Sequence, residues 1–309
     1  MHFLFWFVLY PLSLLPLFIL YGIGGILYFF LNYVVRYRRK VIDQNLRNSF
    51  PEKSPKELAK IRKQYYWHLS QLAAEMLKML TLSRRGVKKR YWSKNAEIVN
   101  RFFDEGRSVI LMSSHYNNWE WLVLSLDSQF KHHGIGVGKA NSNKNFEKLI
   151  NRARTRYGTE VVFADTVRQV FERYESAHQP CCYMMLSDQS PSNPKSCYVT
   201  DFLNQRSGII FGAEHFAKKY DLPVVYYEVV KDRIGHYHLE FELITEKPNE
   251  TEHGFITDRY VQLLEQSIRK QPAYWLWSHR RWKHDFSKMP AQQVNPNPQA
   301  NPQVTRLEG

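Results

Sequence analysis

The sequence predicts an α/β protein: a single mixed-sheet domain flanked by helices and preceded by an N-terminal membrane helix. Three observations carry this. The first 35 residues contain no Asp, Glu, Lys or Arg, and a bilayer span needs about 20 apolar residues. Residues 41–94 repeat apolar side chains at helical spacing. From Asn95 onward, short runs of strand formers alternate with amphipathic stretches, as in a largely parallel sheet. The chain therefore divides into an anchor (1–35), a basic juxtamembrane helical region (36–94), an α/β domain (95–289) and a tail (290–309).

In the anchor, Pro11, Pro16, Gly22, Gly24 and Gly25 allow bends. A cleavable signal would need a basic start and a small-residue cleavage site, and neither is present, so the segment is expected to be retained. The next charges are Arg36, Arg38, Arg39 and Lys40, which place the body on the cytoplasmic side. Three cysteines, Cys181, Cys182 and Cys197, do not make a disulfide framework. No Cys/His grouping has zinc-site spacing.

Residues 41–50 begin a helix. Ser54-Pro55 opens a longer one to about Leu82, with Tyr65, Leu69, Leu72, Met76 and Met79 on one stripe. In the α/β domain, strands are expected at 109–112, 135–138, 160–163 and 182–186, with an extended segment at 198–203. An antiparallel pair at 222–230 and 236–244 is expected near the sheet edge. Helices are expected at 119–130, 144–157, 166–176, 208–220 and 254–270. Gly158 reads as a helix C-cap. The Pro-, Asn- and Gln-rich tail cannot bury enough surface to offset its ordering entropy, so it is expected to be disordered.

Charge is concentrated rather than spread. Residues 36–94 hold 17 Lys/Arg against 4 Asp/Glu, whereas 95–309 hold 26 against 25. Basic charge directly behind an apolar helix suits anionic headgroups. The balanced charge of the larger domain argues against a nucleic-acid partner.

The chemistry centres on residues 108–120. The apolar strand ends at Ser113-Ser114-His115, and Asn117-Asn118 cap the helix that carries Glu120 in its first turn. His115 thus stands at the carboxyl end of a strand, where open α/β sheets build their sites. A neutral imidazole takes a proton from a hydroxyl, and a carboxylate on its other nitrogen fixes the tautomer. No Gly-x-Ser-x-Gly elbow is present, so Ser113 and Ser114 are not read as nucleophiles. Taken alone, a strand-capping His and a solvated Glu would be the plainer reading. Asn117 and Asn118 are candidates for receiving an oxyanion through backbone N–H groups.

His115-x4-Glu120 resembles the His-x4-Asp/Glu motif of glycerolipid-type acyltransferases. The set narrows the resemblance to the lipid A biosynthesis (lauroyl/myristoyl) acyltransferase family, within the lysophospholipid acyltransferase superfamily. It comprises the uncharged start, the basic region, His115–Glu120, Arg152-Ala-Arg154-Thr-Arg156-Tyr-Gly158 and Asp188-Gln189. Trp275-Leu-Trp-Ser-His-Arg-Arg-Trp-Lys283 follows near the end. The similarity covers residues 1 to about 285.

The resemblance implies transfer of a fatty acyl group from acyl carrier protein to a hydroxyl of a lipid A precursor at the inner membrane. His115 would be the general base and Glu120 its orienting partner. Arg154, Arg156, Asp188, Gln189, Asn117 and Asn118 would line the substrate site, with no metal, nucleotide or other cofactor. Arg152, Arg154 and Arg156 cannot share one helix face, and Arg154 aligns best with the family arginine. The loop 190–193 departs from the family pattern of a further Asp or His followed by Gly. The alternatives are an acyltransferase for a lysophospholipid or aminolipid, using acyl-CoA or acyl carrier protein, and a membrane-anchored lipid-binding protein without catalysis.

Overall fold

The computed structural model describes residues 5–140 and 143–290; the tail expectation for 291–309 lies outside them. Among the described residues nine strands form: β1 (Tyr91–Ser93), β2 (Val109–Ser113), β3 (His133–Gly138), β4 (Glu160–Phe163), β5 (Cys181–Leu186), β6 (Tyr198–Phe202), β7 (Gln205–Ile209), β8 (Val224–Arg233) and β9 (His236–Thr245). Seven of them make one sheet in the order β1-β9-β8-β2-β5-β3-β4, and β6-β7 stands apart as a hairpin. Every neighbouring pair in the large sheet is parallel except β8 and β9. The mixed sheet flanked by helices is the one expected.

The helices are α1 (Tyr10–Leu14), α2 (Leu17–Phe29), α3 (Arg39–Ser49), α4 (Pro55–Met79), α5 (Arg84–Arg90), α6 (Glu97–Asp104), α7 (Trp119–Gln129), α8 (Lys144–Arg154), α9 (Val167–Ser176), α10 (Gly212–Tyr220) and α11 (Phe255–Lys270). Strand β2 shows how the layers form. Ile110 and Met112 join a core with α3, the first half of α4 and α9 to α11. Val109 and Leu111 join the opposite core with α2 and α5 to α8. A strand buried on both faces reads as an unbroken apolar run, which is what Val109–Met112 is.

Local signals explain the element ends. Ser54 and Glu57 close a reciprocal capping box at the start of α4, with Pro55 in the first turn. After α8 the chain makes one tighter turn to Tyr157 and stops at Gly158, whose φ is +115°. A Cβ there would also press on the Asp127 carboxylate.

Two sequence readings differ from the structure. Gly208 and Ile209 end strand β7 (Gln205–Ile209) rather than open a helix, which begins only at Gly212. The turn that makes the hairpin is Leu203-Asn204, both at positive φ, a two-residue geometry usually marked by Gly; without Gly it was invisible. The sheet also begins earlier than residue 95, because Tyr91–Ser93 pairs with Tyr237–Leu239. Likewise, Ile42, Leu46, Tyr65 and Tyr66 of the basic region lie in the same core as the sheet.

Among the described residues, one helical stretch, Leu17–Val34, is long and apolar enough to cross a membrane. It lies antiparallel along α4 rather than projecting from the body. Lys78 Nζ and Thr81 Oγ1 donate to the Ser13 carbonyl, Tyr21 donates to Glu75, and the Tyr28 ring meets Trp67 edge-on. Gly24 allows the close approach, since a Cβ there would reach 3.2 Å from the Ser70 carbonyl oxygen. The outer face stays apolar and uncovered, with Phe18 74% and Ile26 61% exposed.

Candidate active site

Strands β2 and β5 are parallel neighbours, with Ser113 opposite Leu186. Two residues beyond that pair on each strand stand His115 and Asp188. The register alone therefore brings them together at the carboxyl edge of the sheet. His115 Nδ1 lies 2.8 Å from Asp188 Oδ1. The Trp275 indole N–H donates to the other oxygen, Oδ2, at 2.9 Å. Burial alone would raise the Asp188 carboxyl, but the His115 charge and hydrogen bond, with help from Trp275, outweigh it and hold its pKa below the ordinary value. An ionised Asp188 fixes the proton on Nδ1 and leaves the Nε2 lone pair as the basic site. Gln189 Nε2 sits 3.1 Å from it. The imidazole side chain is 19% exposed, so a substrate can reach it.

The carboxylate on His115 is thus Asp188, not Glu120. Both Glu120 oxygens are engaged by Arg154, with Nη2 to Oε1 at 2.6 Å and Nε to Oε2 at 2.8 Å. Trp119 Nε1 also donates to Glu120. A two-pronged guanidinium satisfies a carboxylate geometrically as well as electrostatically, and α8 presents Arg154 directly to the start of α7. The pair still borders the site, because the Trp119 ring meets the His115 ring edge-on at 5.0 Å.

The other expected site residues separate. The Arg156 guanidinium donates to the carbonyls of Met79, Leu80 and Leu82 and so closes the carboxyl end of α4. Arg152 is exposed. Asn117 sits at φ +53°; its N–H donates to the Tyr274 carbonyl and its amide to Val229. That N–H is not available to an oxyanion. Asn118 caps α7 by accepting from the Trp121 N–H, and its amide donates to Glu75.

Glu75 and Trp275 are the residues that sequence reasoning missed. Glu75 is fully buried and accepts from Tyr21, Tyr237 and Asn118, tying the N-terminal helix, strand β9 and the cap of α7 together. Its signal was an acid inside the buried stripe of α4. Trp275 matters because its indole N–H holds Asp188.

Ser113, Cys181 and Cys197 do not suit a covalent protein intermediate. Ser113 Oγ donates to the Tyr227 carbonyl. Burial pushes the Cys181 thiol up to about 12 and the Cys197 thiol to about 11, which disfavours the reactive thiolate. The arrangement suits deprotonation of a substrate hydroxyl by His115.

The family described as bacterial lipid A biosynthesis acyltransferase matches residues 1–284. The chain belongs to that family. It therefore performs acyl transfer in lipid A biosynthesis. No individually curated protein matches the chain at significance.

In this lipid A acyltransferase the carboxyl-terminal segment braces the site. Tyr116 and Trp275 form an isolated antiparallel bridge, and the Ser190 N–H donates to His279 Nε2. Trp277 and Arg281 are buried, and Arg281 donates to the Gly208 carbonyl. Burial holds His279, and also His132 just before β3, down to about 4. An unfolded histidine titrates near 6.5. The folded values lie below it, so the unfolded chain takes up protons first as pH falls. This stability is complete above about pH 6.5 and is lost as pH falls toward 4. We expect the melting temperature to hold between pH 8 and 7 and to drop steadily below about 6.5, read by circular dichroism. A melting temperature unchanged down to the acid limb would contradict it.

Proposed function

We propose that the chain transfers a fatty acyl group from acyl carrier protein to a hydroxyl of a lipid A precursor at the inner membrane. His115 Nε2 takes the hydroxyl proton as the oxygen attacks the thioester carbonyl. The C–O bond forms, the tetrahedral intermediate collapses, the C–S bond breaks, and the proton passes from His115 to the departing sulfur. Asp188 stabilises the imidazolium formed on the way. The Gln189 amide, which sits at Nε2, gives way to the hydroxyl. The observation that carries this is the His115–Asp188 pair on adjacent strand ends in a chain of this family. Incubating the purified full chain with acyl carrier protein thioester and lipid A precursor should give a product heavier by one acyl group. No such product with either that thioester or acyl-CoA would refute the reading.

Membrane residence fits the same picture. The apolar outer face of α2 would rest in the bilayer, while α4 keeps the body at the surface. Arg36–Lys40 would hold that body on the cytoplasmic side.

The donor is expected to dock on α5. Arg84, Arg85, Lys88 and Lys89 are exposed, whereas Arg90 is engaged by Gly235 and His236. Acyl carrier proteins are acidic, and complementary charge raises encounter rates in a salt-sensitive way. Changing those four to Gln should raise the Michaelis constant for the thioester about tenfold at low salt, with a smaller effect at high salt. An unchanged constant across the ionic-strength series would leave them as solvated surface.

A further inference from the structure

The basic aromatic run 275–283 is not one unit. Trp275, Trp277 and Arg281 are buried in the body, whereas Arg280 and Lys283 point outward to a cavity of about 370 Å³. Lys40 and Gln44 of α3, with Trp282, line it too, and no acid does. The other cations nearby are already committed. Arg38 donates to the Ser278 carbonyl, Arg39 and Arg62 pair with Asp43, and Arg281 is held inside. Lys40, Arg280 and Lys283 have no ion-pair partner among the described residues. Three uncompensated cations around one hollow repel each other, and a single anion relieves all three contacts.

The cavity's place narrows the anion. Lys40 follows the end of the apolar stretch Leu17–Val34 by six residues, so the hollow opens where the chain leaves the apolar layer, at headgroup depth. On its other side, Arg280 directly follows His279, which binds the loop two residues past Asp188. From His279 to Lys283 is at most about 14 Å of extended chain.

We infer that this cavity is a binding site for the phosphate of a membrane lipid. Arg280 supplies the two-pronged contact, Lys40 and Lys283 add flanking charge, and Gln44 offers amide donors. The phosphate can belong to the acceptor itself or to a surrounding phospholipid. The first source rests on the acyl-transfer reading above; the second does not.

The test uses the full chain carrying Lys40→Gln, Arg280→Gln and Lys283→Gln, all exposed positions. One arm measures flotation with phosphatidylcholine vesicles, with and without phosphatidylglycerol, and needs no activity. The other measures transfer to a phosphorylated and a dephosphorylated acceptor. If the acceptor's phosphate sits here, its Michaelis constant rises about tenfold with turnover nearly kept, and only for the phosphorylated acceptor. If phospholipid phosphate sits here, flotation on the anionic vesicles falls while that constant is unchanged. Either result supports the site. No change in either arm overturns it, as does an equal loss from a control with Lys148, Lys219 and Lys270 changed to Gln. A wild-type chain with no transferase activity would sink the proposed function yet leave the flotation arm readable.

Discussion

Replacing His115 with Ala should abolish acyl transfer while the protein still folds. The imidazole is partly exposed at a strand end, so its removal leaves little cavity and costs little stability. What is lost is the group that accepts the hydroxyl proton as the C–O bond forms. Losing a positioned base typically costs about 10²–10⁴-fold in rate. The measurement is single-turnover transfer from acyl carrier protein thioester to the lipid acceptor, with folding checked by circular dichroism. Turnover within a few fold of wild type in the folded variant would point to another base or to a lipid-binding role.

Asp188→Asn should cost a comparable factor, about 10²–10⁴-fold in turnover, with little change in substrate binding. Asp188 now accepts from two donors, His115 Nδ1–H and the Trp275 indole. An amide offers one oxygen. If it keeps Trp275, its NH₂ faces Nδ1 and forces the proton to Nε2, where the imidazole no longer accepts one. The charge that stabilises the imidazolium is lost as well. His115→Ala combined with Asp188→Asn should therefore be no worse than His115→Ala alone, because the two act as one unit.

Glu120→Gln is expected to behave differently. It leaves the Arg154 guanidinium half-buried without its counter-charge and should couple to Arg154→Gln rather than to His115→Ala. Strong coupling of Glu120 with His115, and additivity of Asp188 with His115, would reverse this assignment and restore the pairing read from the motif.

Much of the molecule was legible because its signals are local. The Ser54-Pro55 helix start, the Gly158 stop and the unbroken Val109–Met112 run each follow from side chains within a few positions. So did the place of His115 past a strand end, and the ordered motifs placed the chain in its family. The Leu203-Asn204 hairpin was not legible, since nothing short-range demands positive φ at Leu.

The partner of His115 was decided only in three dimensions. The chain brings β5 beside β2 after two intervening strands, and the Ser113–Leu186 register then sets Asp188 against the imidazole. Sequence spacing favoured Glu120 because it is five residues away; Arg154, 34 residues on, claims it instead. The sequence by itself determined which residue types can do acyl-transfer chemistry, where the apolar start lies and where the positive charge collects. The tertiary structure decided which carboxylate meets which cation, which asparagine N–H groups are already spent, and which basic side chains remain for a ligand. Those outcomes depend on strand order and helix rotation, which couple residues far apart in the chain and leave no periodic trace in it.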